Sequence, residues 1–162
     1  MTVIIDGTAG ITFPVTAGSA SAVQASSGRV LQVVQGTTSS TTTTTGATPV
    51  ATNLTASITP SSSSSKILII STFSIYTTNL NTKVYTSLYR NSTNISAAAG
   101  GAYFYNAGGA GQITTSINLL DSPATTSATS YTIYLFGSAT ANSVSFNADT
   151  MNNQIILMEI AA

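Results

Sequence analysis

Apolar and polar residues alternate along most of this chain, and the pattern is densest in Ser61–Tyr76, SSSSSKILIISTFSIY. Side chains on a β-strand point to opposite faces in turn. From Ile67 the odd row reads Ile67, Ile69, Ser71, Phe73, Ile75; the even row reads Leu68, Ile70, Thr72, Ser74, Tyr76. The first row is almost wholly apolar and the second is apolar at its start. This predicts a central strand with one face on a core and the first half of its other face covered as well.

The same reading places strands along the rest of the chain. Val50–Ile58 alternates cleanly, with Val50, Thr52, Leu54, Ala56 and Ile58 on one face. Val84–Arg90 sets Val84, Thr86 and Leu88 against Tyr85, Ser87 and Tyr89. Ile113–Leu120 alternates through Ile113, Thr115, Ile117 and Leu119. Tyr131–Phe136 sets Tyr131, Ile133 and Leu135 against Thr132, Tyr134 and Phe136, and Val144 with Phe146 marks a short strand. Arg29–Gln35 and Gln154–Ile160 are strands with apolar residues on both faces. The run Gly36–Gly46, GTTSSTTTTTG, reads either as a linker or as a Thr-faced edge strand, since Thr is β-branched and favours extended backbone. Ala97–Gln112, with five glycines around Tyr103, Phe104 and Tyr105, reads as a loop. No stretch carries a helical period. Strands at regular spacing with turn signals between them predict an all-β fold, an antiparallel β-sandwich of jelly-roll type.

Residues 1–28 stand apart. Two short β-prone pieces, Val3–Ile5 and Ile11–Phe13, flank a turn at Asp6–Gly7, and a small, polar stretch follows. This predicts an extended N-terminal arm on a sandwich domain of residues 29–162. The arm is either flexible or ordered against a partner; its apolar Val3, Ile5, Ile11 and Phe13 point to the partner, because a solvated tail has no need of them.

Composition sharpens the picture. Only four basic and four acidic residues occur among 162, and they cancel. Ordinary domains carry about 25% charged residues. No basic surface exists to follow a phosphate backbone, so nucleic acid is not an expected partner. The absence of His and Cys excludes zinc sites and any triad built on those residues. The acids Asp6, Asp121, Asp149 and Glu159 lie far apart, without calcium-loop spacing and without the paired carboxylates of glycosidic cleavage. Neither a catalytic site, a metal nor a cofactor is expected. MTVIIDG lacks the basic start of a signal peptide, and no apolar run reaches the ~20 residues of a membrane helix, so membrane insertion is not expected.

Doubly apolar strands call for cover. In a two-sheet sandwich each sheet buries one face, yet Val30, Leu31, Val33, Leu68, Ile70, Ile156, Met158 and Ile160 supply apolar groups on the second face as well. Each such side chain left in water forgoes ~2 kcal/mol. A homo-oligomer is the expected cover; the alternative is the arm folded back over the same sheet.

The order of these pieces also carries a resemblance. GRVLQVVQG, a Thr-rich run, LTASITPSSSSSKILI, YRNSTNI, LLDSPATTSATSYTIYL and a final IILMEIAA together resemble a domain recurrent in bacteriophage tail-fibre and related virion proteins, familiar from phages of marine bacteria and cyanobacteria. The preceding DGTAGITFPV resembles the stretch that often leads into such domains, where FP is commonly followed by Asp-Gly; here Val15-Thr16 follows. The resemblance spans roughly Asp6 to Ala162. It implies a virion component on the particle exterior, tail or capsid, a homotrimer with jelly-roll heads, and no catalytic residues. Two roles fit it. One is a fibre or spike subunit, attached to other virion proteins by its arm and adhering to a host-surface glycan or protein. The other is a capsid decoration or other purely structural virion protein.

For adhesion, the candidate contact residues are Tyr103, Phe104, Tyr105 and Asn106 in the glycine-rich stretch, with Tyr85, Tyr89 and Arg90 as a second ridge. Tyr and Phe offer large contact area at low entropy cost. The competing reading is that these rings plug the core, or pack as cross-strand pairs. Glu159 is expected to pair with Arg29 or Lys66 or to face a subunit axis, and Asp121 to cap a turn.

Overall fold

A computed structural model describes residues 4–6, 10–12, 27–97, 100–138, 142–149 and 151–162. Its strands are β1 (Ile4–Asp6), β2 (Gly10–Thr12), β3 (Val30–Thr38), β4 (Thr42–Thr44), β5 (Val50–Ile58), β6 (Lys66–Thr77), β7 (Thr82–Arg90), β8 (Thr93–Asn94), β9 (Ala102–Asn106), β10 (Gly111–Asp121), β11 (Thr129–Gly137), β12 (Val144–Phe146) and β13 (Asn153–Ile160). Among the described residues there is no helix, as the missing helical period predicts.

All pairings are antiparallel, and β3 to β13 make two sheets. β10 runs along one edge of β6 from Ile67 to Thr77, so β13 (at Lys66–Thr72) and β12 (at Ile75–Thr77) share the other edge. β3 and β4 then flank β13 and β12 in the same way. The first sheet is therefore four rows: β3 with β4, β13 with β12, β6, β10. In the second sheet β11 takes one edge of β7, and β8 and β9 share the other, giving β5, β11, β7, then β8 with β9. The molecule is an all-β sandwich of these two sheets.

The core lies between them, as the alternation requires. Ile67, Ile69, Phe73 and Ile75 face Leu54, Ile58, Val84, Leu88, Ile133 and Leu135, with Ile155 and Leu157 beside them, all buried. Phe73 and Phe146 pack with ring centroids 5.6 Å apart.

Of its two readings, the Thr-rich run takes the edge strand: it continues β3 to Thr38 and supplies β4, and Thr43 Oγ1 meets Ser145 Oγ at 3.0 Å across the ladder. One segment departs from the sequence reading. Ala97–Gln112 is not one loop, because it contains β9 and the start of β10. β8 follows directly on a turn at Asn91 and Ser92. The glycines that make residues 97–112 look like loop allow close packing. A Cβ on Gly101 would lie 2.8 Å from Ile117 Cδ1, and one on Gly111 2.7 Å from the Phe104 ring. The chain enters the sandwich at Gly28, whose N–H donates to the Ala161 carbonyl at 2.7 Å.

In the N-terminal segment β1 and β2 form a hairpin with Ile5 opposite Ile11. Val3 and Phe13, the other two expected attachment residues, lie outside the described residues.

Candidate functional site

Both outer faces of the sandwich carry hydrophobic residues, of different kinds. On the first sheet, Val33, Met158, Leu68 and Leu120 stand in one unbroken row across β3, β13, β6 and β10. The adjacent row is Gln35, Ile156, Ile70 and Asn118. Ile160 follows Met158 on the same face, and a bulge in β3 sets Val30 opposite it. Seven of the eight residues expected at an oligomer contact therefore share one end of one outer face; Leu31 is the unpaired extra residue of the bulge. Val33 is 57% exposed and Leu120 53%. Leu120 was not foreseen, because in sequence it is merely the polar-side neighbour of Leu119; its pairing with Leu68 puts it in the row.

On the second sheet the outer face is aromatic. Tyr103, Tyr85 and Phe136 are direct cross-strand neighbours on β9, β7 and β11. Tyr85 stacks on Phe136 with centroids 5.1 Å apart and rings 13° from parallel, and Tyr103 tilts against Tyr85 at 5.9 Å. Tyr89 stacks on Tyr134 at 3.8 Å. One face of each of Tyr85, Phe136, Tyr89 and Tyr134 is thus taken up by a neighbouring ring, the cross-strand packing that the alternative reading foresaw. Ser87, in the same outward row of β7, is fully buried.

The row ends at Tyr103, beyond which this sheet has no further strand among the described residues. Tyr103 is 62% exposed and Tyr105, two residues on, 47%. The Tyr105 hydroxyl donates to Asn81 Oδ1 at 3.0 Å, which fixes that ring. Tyr103 and Tyr105 are the contact candidates that the fold leaves open. Tyr134, Phe136 and Asn81 were missed as members of this face; the alternation of β11 already put the first two on one side.

The remaining candidates turn inward. Phe104 pairs with Val84 and packs on the core. Asn106 is buried and builds the turn into β10: its Nδ2 donates to the carbonyls of Asn79 and Gly109, and its Oδ1 accepts from Gly108 N–H. Arg90 pairs with inward-facing Tyr131, so it points away from Tyr85 and Tyr89. Its Nη1 donates to both carboxylate oxygens of Asp121 at 3.0 Å, and the Tyr131 hydroxyl donates to Asp121 Oδ2 at 2.7 Å. Burial, then the hydrogen bond to Asp121, push the Tyr131 hydroxyl far above its usual range, so it stays a donor. Asp121 is thus a bridge between sheets and not a turn cap.

Glu159 is the counterpart. It shares a cross-strand row with Ile67 and Asp121 and has no solvent exposure. It pairs with neither Arg29 nor Lys66. Its Oε1 accepts from Ser61 N–H at 2.8 Å and Ser61 Oγ at 2.7 Å, and its Oε2 from Gln32 Nε2 at 2.6 Å. Burial alone would raise its pKa; the hydrogen bonds, led by the Ser61 hydroxyl and then Gln32, outweigh it and hold the carboxyl down at about 2. The two carboxylates on either side of Ile67 therefore bolt the first sheet to the second, one through β7 and β11, the other through the turn after β5.

Arg90→Ala tests the first bolt. Asp121 would keep only the Tyr131 hydroxyl, and the pair is partly open to solvent, so a loss of roughly 1–3 kcal/mol is expected in urea unfolding. A variant as stable as the parent would mean that the ion pair contributes nothing.

No protein-family model matches this chain, and a search of curated proteins finds no match.

Proposed function

We propose that this chain is a non-enzymatic structural protein of a bacteriophage virion, a tail-fibre or spike subunit on the particle exterior. Its sandwich is read as a jelly roll. With the rows numbered in chain order, the sheets run 1-8-3-6 and 2-7-4-5, the arrangement of two interleaved Greek keys. The residues quoted above for the tail-fibre resemblance support the setting. In this reading residues 1–28 attach the subunit to other virion proteins. The aliphatic outer face joins three copies, and the aromatic face meets the host surface, with repeated weak contacts gaining by multivalency.

The observation that carries the proposal is the division of labour between the two outer faces. One offers a continuous aliphatic row of the kind that marks association surfaces. The other offers exposed tyrosines on a strand at the sheet edge.

Leu68→Asp tests the assembly. Leu68 points outward, so the fold should survive, and circular dichroism should be unchanged. Light scattering should give three times the chain mass for the parent and the chain mass for the variant. A variant that stays fully assembled sinks the trimer face. Tyr103→Ala combined with Tyr105→Ala should abolish binding of the labelled protein to host cells. Retained assembly and retained particle association without any cell binding by the parent would favour the capsid-decoration role instead.

A further inference from the structure

The scarcity of charge makes the position of each charged group informative. Of the strands in the second sheet, only β7 carries charged side chains, Lys83 and Arg90. Arg90 faces inward and is paired with Asp121, the one ion pair among the described residues. Lys83 faces outward, is exposed, and has no carboxylate partner among the described residues. The register sets it directly opposite Tyr105, and its neighbour Tyr85 opposite Tyr103. Lys83 and the two open tyrosines thus form three corners of one square at the sheet edge. The backbone beneath is held: Lys83 N–H donates to Ser138 Oγ at 3.0 Å, and Ser138 N–H donates to the Lys83 carbonyl at 3.0 Å. Asn81 holds the Tyr105 ring.

An unpaired ammonium beside two exposed tyrosines is complementary to a ligand with one negative charge and apolar C–H faces. Pyranose rings with a carboxylate have both. Dense polyanions, such as heavily sulfated chains, would need several cations, and this face has one. We propose that Lys83, Tyr103 and Tyr105 form a subsite for the uronic-acid unit of a cell-surface polysaccharide bearing one carboxylate per repeat. Lys83 takes the carboxylate as a charge-assisted hydrogen bond, and the tyrosines stack on the sugar. The inference rests on the adhesion reading and names the ligand class for it.

Isothermal titration of the full chain tests it with three probes. These are a hyaluronan hexasaccharide with one carboxylate per disaccharide, its carboxyl-reduced form, and a heparin hexasaccharide. The intact protein should bind the first about tenfold more tightly than the second, the worth of one charge-assisted hydrogen bond. Lys83→Gln should erase that difference and leave the reduced form unchanged; Tyr103→Ala should weaken both. Equal binding of acidic and reduced forms, preference for heparin, an unaffected Lys83→Gln variant, or no binding at all would each overturn the proposal. A cell-binding assay separates the two levels. Protein that adheres to cells through Tyr103 but fails the titration keeps the adhesion reading and loses the uronate. Protein that fails both loses both.

Discussion

Gly36→Ala is expected to destabilise the sandwich by about 3 kcal/mol, at the upper end of what overpacking costs. Gly36 lies on β3, the edge of the first sheet, where it crosses β5, the edge of the second. A Cβ there would sit 2.0 Å from the Thr55 carbonyl oxygen and 2.9 Å from its carbon. Both are backbone atoms of a paired strand, so neither can swing aside as a side chain would. Relief requires β3 to move away from β5, which also draws Gly36 off Ile155, its partner on β13. The thermal midpoint should fall by roughly 6–12 °C for a domain of this size. Gly108→Ala is the control, because a Cβ there meets nothing within 4 Å. If the two variants melt alike, β3 and β5 do not close this edge.

The contrast between those glycines shows what alternation can and cannot reveal. Period-two rows placed Ile67, Ile69, Phe73 and Ile75 inside and Leu68, Ile70, Ile156 and Met158 outside, because each depends only on parity within one strand. Parity also settles Arg90, which shares its row with Val84 and Leu88. The ridge with Tyr85 and Tyr89 overlooked that, and only the Asp121 partner needed three dimensions. β4 and β9 were harder to see. Repeated Thr has no hydrophobic contrast, and the glycines around Tyr103 look like turn signals although Gly101 and Gly111 serve close packing against Ile117 and Phe104. Lys83 carries no signal in the sequence, because its meaning comes from the cross-strand pairing with Tyr105 and from the absence of other charge on the strands of that sheet's outer face among the described residues.

Glu159 is the second site where a single change should have a large effect, and its effect should depend on pH. Glu159→Ala would remove the acceptor of the Ser61 N–H, the Ser61 hydroxyl and one Gln32 N–H at the sheet junction. A loss of about 2–3 kcal/mol at pH 7 is expected, the cost of removing a buried charged acceptor from three partly buried hydrogen bonds. Glu159→Gln keeps the shape but puts an NH₂ where a donor already points, and a smaller loss of roughly 1–2 kcal/mol should follow. The folded-state carboxyl titrates at about 2, below its ordinary value of 4.5. The stabilisation is therefore fully present above pH 4.5. It declines as the unfolded chain begins to take up the proton, and is gone once the pH has dropped through the folded value. Urea midpoints of parent and Glu159→Gln at pH 7, 4 and 2.5 should accordingly converge as the pH falls. Parallel curves would mean that the carboxylate charge is not what holds the turn at Ser61 to β13. The sheets would then be joined at that end by packing and by the hydrogen bond from Gln32 to the Thr59 carbonyl.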